Sequence, residues 1–120
     1  MKHTISLTVN DRVEITLIGP ISREHVTILG ENLVVFVTEL EDKGKDIRII
    51  IDSLRATDLK EDAHALALVI LKHTSFAKAA FVEHRKQIIE RQKKDIARTK
   101  YIDKIRVYEI RQEAELWLEE

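Results

Sequence analysis

Along the first twenty residues apolar and polar positions alternate twice: Ile5, Leu7 and Val9 against Thr4, Ser6 and Thr8, then Val13, Ile15 and Leu17 after Asn10-Asp11. A period of two on both sides of a short polar break predicts an antiparallel hairpin. Gly19-Pro20 is expected to break the second strand. Ser22 is placed to cap a helix, with Ile21 and Val26 at staple spacing around it. Val26, Leu29, Leu33, Val37 and Leu40 then step by three and four, and Asp42-Lys43-Gly44 ends that apolar stripe.

Ile47 to Ile51 is nearly continuous in apolar character, as expected of a central strand covered on its faces, and Asp52-Ser53 is expected to end it. Asp58 and Glu61 have capping-box spacing ahead of the stripe Leu59, Ala63, Leu66 and Ile70, which predicts a second helix to about His73. Ala77 to Val82 predicts another buried strand. Residues 84 to about 98 predict a helix anchored by Ile88, Ile89 and Ile96. Ile105 and Val107 predict a last strand, and Ala114, Trp117 and Leu118 share one side of a terminal helix. The order ββαβαβαβα implies an α/β fold: one mixed sheet of about five strands, helices mainly on one face, the N-terminal strand its antiparallel member.

Composition narrows the function. The 120 residues contain no Cys, one Pro and three Gly, with 44% hydrophobic and 34% charged positions. One domain spanning 1–120 is expected, without disulfides, thiolate metal sites or a Cys nucleophile. No apolar run approaches the roughly 18 residues of a membrane span, and a cytoplasmic location is expected. The net charge of −1 argues against a globally basic nucleic-acid binder. Charge is unevenly placed, however. Between residues 84 and 106 nine basic residues face three acidic ones, a net +6 that leaves −7 on the rest. Arg85, Lys86, Arg91, Lys93, Lys94, Arg98 and Lys100 are therefore candidates for binding an anionic ligand or lipid surface.

Catalytic patterns are absent. Glu61-x-x-His64 has the spacing of a carboxylate-histidine metal motif, but it occurs once where a di-metal bundle needs two. Ser53 could join His25 or His73 in a triad only without a Gly-x-Ser-x-Gly elbow, so a turn or cap role is expected of it. No Gly-rich phosphate loop occurs. Neither a metal nor a cofactor is expected.

Several strings resemble the SpoIIAA-like proteins of the STAS superfamily: Ile18-Gly19-Pro20-Ile21-Ser22, Ile49-Ile50-Ile51-Asp52, Lys72 to Val82, and Ala114-Glu115-Leu116-Trp117-Leu118. The resemblance covers nearly the whole chain. It implies a non-enzymatic binding or regulatory module that docks a protein partner or a small apolar or anionic ligand, with homodimers among its partners. The fold is also similar to lipid-binding CRAL-TRIO domains, and the alternative expectation is a peripheral membrane or lipid-binding protein that uses the basic segment 84–106. In the phosphoregulated members an acceptor serine follows the strand ending in Asp. Aligning that Asp with Asp52 puts Asp62 in the acceptor's place, followed by Ala63 where a glycine is usual, so the resemblance implies loss of the phosphoserine switch. By the same alignment Ser53, Thr57, Asp58, Glu61 and Asp62 are the partner-facing candidates.

Overall fold

A computed structural model describes residues 2–8, 10–59, 61–72, 75–101 and 103–120, apart from the side chains of Lys2, Leu59, Glu61, Asp62, Ala63 and Lys72. The elements are β1 (Lys2–Leu7), β2 (Arg12–Ile21), α1 (Arg23–Asp42), β3 (Arg48–Leu59), α2 (Glu61–Lys72), β4 (Lys78–Val82), α3 (Lys86–Ala97), β5 (Ile105–Tyr108) and α4 (Arg111–Glu119). This is the α/β order expected from the alternation of patterns. The five strands lie side by side in chain order, β1 antiparallel to β2 and every later neighbour parallel.

The period of two in the strands sorts their side chains between two layers. Val13, Ile15, Leu17, Ile49, Ile51, Ala79, Phe81 and Ile105 join Val26, Leu29, Leu33, Val37 and Leu40 of α1, Leu68 and Leu71 of α2, and Ile96 of α3. On the opposite face Ile50, Ala80 and Val82 pack with Ala114, Trp117 and Leu118 of α4. Burial on both faces is why residues 47 to 51 lack alternation.

Both ends of α1 follow local rules. His25 Nδ1 accepts the backbone N–H of the N-cap Ser22 at 3.2 Å, taking the place a glutamate usually fills in a capping box. At the other end Gly44 has φ +69, its N–H donates to Glu41 O, and the Lys45 N–H donates to Leu40 O. This is a Schellman closure, and its left-handed position favours glycine. Gly30 lets α2 approach closely: a Cβ there would lie 2.7 Å from Ile70 Cδ1, the tip of a side chain that would have to shift.

Four sequence expectations need correction. Gly19-Pro20 does not break β2, and Asp52-Ser53 does not end β3. The two strands run on together past the end of β4 with Ile18 against Arg55, Pro20 against Asp58 and Ile21 against Leu59, through two register shifts. Pro20 lies beyond the described β1–β2 pairs, which run from Leu7–Val13 to Lys2–Ile18, at an edge position where proline is tolerated. Asp58 is therefore in a strand and caps no helix. At the described positions the most buried side of α2 also differs from the expected stripe: His64, Leu68 and Leu71 are buried and Leu66 and Ile70 half-buried, while the side chains of Leu59 and Ala63 lie outside the described residues.

Ion pairs fasten α4 to the sheet. The Arg111 guanidinium donates to Asp52 Oδ2, Glu14 Oε1 and Glu115 Oε1, each at 2.9 Å. Arg12 pairs with Glu14 at 2.9 Å and with Glu119 at 3.2 Å. Lys78 Nζ donates to Trp117 O at 3.0 Å, neutralising the C-terminal end of the helix. Arg111→Met would leave the Glu14 and Asp52 carboxylates without this shared cation. It should cost about 1–3 kcal/mol, part-exposure keeping it below a fully buried pair, with early amide exchange confined to α4. Uniform exchange acceleration across the sheet would contradict the clamp.

Candidate functional site

The C-terminal end of β4, where open α/β sheets commonly present functional groups, carries a buried polar cluster against the middle of β3. Glu83 is fully buried at the end of β4. Its carboxylate accepts from Ser53 Oγ at 2.5 Å, Arg85 Nε at 2.7 Å, Arg85 Nη2 at 3.0 Å, and the backbone N–H groups of Arg85 and His84 at 3.1 and 3.2 Å. Burial alone would raise its pKa. The bonds from Arg85 and Ser53 outweigh that and hold it below the ordinary carboxylate value. Ser53 Oγ also lies 3.0 Å from Val82 O. The serine is thus engaged inside a strand, neither capping nor turning the chain.

A second polar group enters the main core from the helical layer. His64 of α2 is 2% exposed, and its Nδ1 lies 3.1 Å from Asp95 Oδ2 of α3. Burial lowers its pKa below the ordinary value, against the pull of Asp95 and with help from Arg91. The ring is therefore neutral at neutral pH, with Nδ1 donating to the carboxylate. An imidazole oriented by a carboxylate is half of a hydrolytic triad, but the Ser53 hydroxyl is committed to Glu83 and Val82. Among the described residues no cluster of three or more potential metal ligands occurs.

The basic segment has a different geometry. The α3 residues Ile89, Gln92 and Ile96 turn inwards and Lys86, Lys93, Lys94 and Arg98 outwards. Lys86, Lys93, Lys94, Arg98 and Lys100 make no salt bridge among the described residues, whereas Arg85 is spent on Glu83. Arg91 is half-buried. Between α3 and β5 runs a groove of about 410 Å³ lined by Lys93, Ile96, Ile105, Arg106, Val107 and Tyr108. Its floor is the sheet edge. Ala79 N–H donates to Lys104 O and Glu83 N–H to Tyr108 O, so the even residues of β5 turn their peptide groups towards β4. By the alternation of a parallel ladder, Val107, a lining residue of the groove, turns its N–H and C=O away from β4, on the outer edge of the sheet.

Of the other sequence candidates, Thr57 and Asp58 are exposed on the long arm of β3, Ser53 is buried, and the side chains of Glu61 and Asp62 lie outside the described residues. His73 lies outside them too. Sequence reasoning missed Glu83 and the pairing of His64 with Asp95. His64, Leu68 and Leu71 do share one side of a helix at steps of four and three, a signal that the apolar stripe beside them obscured.

No family model matches the chain, and a search of the curated proteins finds no match. Solved structures that share its fold include two named for SpoIIAA. One is an uncharacterized protein from the DUF3478 family with a SpoIIAA-like fold from Shewanella loihica PV-4, 19% identical, with 98% of this chain and 92% of that one covered at a TM-score of 0.64. The other is the anti-sigma factor antagonist SpoIIAA in its unphosphorylated form, 11% identical, with 98% of each chain covered at a TM-score of 0.64. The chain therefore has a SpoIIAA-like fold, the architecture its sequence resembles.

Proposed function

We propose that the chain is a non-enzymatic binding module of the SpoIIAA-like type that docks an acidic, extended segment of a protein partner in the groove between α3 and β5. The carrying observation is the coincidence in one place of a strand edge and cations that are both without partners among the described residues. Val107 offers main-chain hydrogen bonds for β-augmentation, and Lys93 with the neighbouring Lys94 and Arg98 offers charge complementarity. The relative named an anti-sigma factor antagonist supports a protein partner.

Two features weigh against the lipid alternative. The hollows in the apolar core measure only about 30 and 40 Å³, too small for an acyl chain. The outer side of α3 carries Lys86, Gln87, Glu90, Lys93, Lys94 and Arg98 and no large apolar side chain to insert among lipids. No described helix is long and apolar enough to cross a membrane. Control by a phosphoserine is also not part of this reading, since the docking groove lies on other elements than the segment around Asp62.

An eight-residue peptide alternating Glu and Val tests the reading by NMR titration. Shifts at Ile105 to Tyr108 and at Lys93 are expected, with affinity at least about tenfold weaker for Lys93→Glu/Lys94→Glu and falling with salt. No shift along β5 would overturn the groove. Co-sedimentation with phosphatidylserine vesicles that depends on the same two lysines would move the assignment to a membrane surface.

A further inference from the structure

A strand added beside β5 meets a different surface on each of its two sides. Side chains alternate along a strand, and neighbouring strands continue the same two faces of the sheet. In β5, Ile105 belongs to the core layer beneath α1, α2 and α3 and Val107 packs against that layer, whereas Tyr108 packs with the Trp117 cluster on the α4 face. Arg106 is in register with Ala80, which also faces α4. The groove is thus lined from both layers, by Ile96 and Val107 on the helical side and by Arg106 and Tyr108 on the other.

The chemistry of the two sides differs. On the helical side Ile96 is buried and Val107 half-buried, an environment for an apolar side chain. On the α4 side the Arg106 guanidinium lies over the chain's single tryptophan, its Cζ 4.9 Å from the Trp117 ring centroid, and its Nη1 donates to the Tyr108 hydroxyl at 3.4 Å. Arg106 is exposed and makes no salt bridge among the described residues. Lys78, 5.1 Å from the same ring centroid, is otherwise engaged, since its ammonium donates to Trp117 O and Glu120 O. A guanidinium already oriented by an aromatic ring loses less freedom on gripping a carboxylate, and its fork can donate to both oxygens.

We propose that Arg106 is the specificity-determining residue of the docking groove: it reads a carboxylate of the partner segment, while the residues before and after that acid turn apolar side chains under α3 towards Ile96 and Val107. This rests on the groove reading above and adds a rule of sequence to it, that acidic and apolar residues of the partner alternate. Because the side-chain period is two, a slip of one residue sets carboxylates against Ile96 and apolar groups against the guanidinium. Lys93 and Lys94, exposed on α3, have a separate part. Their field draws in an acidic chain whatever its order, whereas Arg106 distinguishes the order.

Two eight-residue peptides of identical composition test the rule, one alternating Glu and Val and the other with all its Glu ahead of all its Val. The alternating peptide is expected to bind wild-type protein about tenfold more tightly, from the combined loss of the charge-assisted contact and of apolar burial in the other. It should also change the emission of Trp117 and give cross-peaks from its Val methyls to Ile96 and Val107. Arg106→Gln should bring the two affinities within about twofold of each other, whereas Lys93→Glu/Lys94→Glu should weaken both peptides by a similar factor. The peptide comparison needs only wild-type protein, so it stands even if Arg106→Gln is less stable. Equal wild-type affinities with shifts along β5 retained, Val methyl contacts to Trp117 in place of Ile96, or an undiminished preference in folded Arg106→Gln would overturn the role of Arg106 and leave the groove. Absence of any shift along β5 would overturn both.

Discussion

Leu33→Asp should leave the chain unfolded at 25 °C, with no cooperative transition in thermal or urea denaturation. Leu33 is 3% exposed at the middle of the α1 stripe, facing the apolar layer over β2 and β3, and no cation is among the core residues around it. An unpaired carboxylate there must either stay charged in a low-dielectric core or take up a proton, and the cavity left by the smaller side chain adds to the cost. The combined loss of several kcal/mol is comparable with the whole stability, about 5–15 kcal/mol, of a domain this size. Circular dichroism after purification checks it. A variant with the wild-type melting temperature would remove Leu33 from the core.

Glu83→Ala is expected to cost about 3–5 kcal/mol, the next largest effect, because one carboxylate satisfies five donors from a fully buried position. Its removal strands the backbone N–H groups of His84 and Arg85 at the start of α3 and leaves Arg85 without its ion pair. Glu83→Gln keeps the shape and should cost less. The same carboxylate ties stability to acid. Its folded pKa lies below the ordinary 4.5, so the unfolded chain binds more protons as pH falls through that value. Stability should therefore be lost from about pH 4.5 downwards, and part of that slope should vanish in Glu83→Gln. His64 acts earlier: its pKa is lowered from the ordinary 6.5, so stability should begin to fall as pH drops below about 6.5. Urea midpoints at a series of pH values in wild type and Glu83→Gln measure both slopes, and identical slopes in the two proteins would exclude the role given to Glu83.

Local pattern was enough to order the elements. The alternation in β1 and β2, the stripe of α1 closed by Gly44 and the unbroken apolar run of β3 each follow from residues close in sequence, and they imply the mixed sheet. The asymmetric charge of residues 84 to 106 was legible for the same reason, since counting needs no contacts. Where a strand ends is another matter. β3 continues to Leu59 because β2 supplies partners 37 to 38 positions earlier in the chain, and nothing within Ser53 to Leu59 announces that pairing.

The sites depended still more on tertiary structure. Ser53 read alone is a turn residue; it is buried because Glu83, 30 positions later, occupies the end of the adjacent strand. His64 and Asp95 are 31 positions apart and meet only when α2 and α3 pack on one face. Sequence by itself determined the element types, the sheet they can build and the sign of the charge on α3, because propensity, periodicity and net charge are local or additive quantities. Only the tertiary structure decided which cations stay unpaired among the described residues and which strand edge stays open, because each of these depends on partners brought together through space by packing.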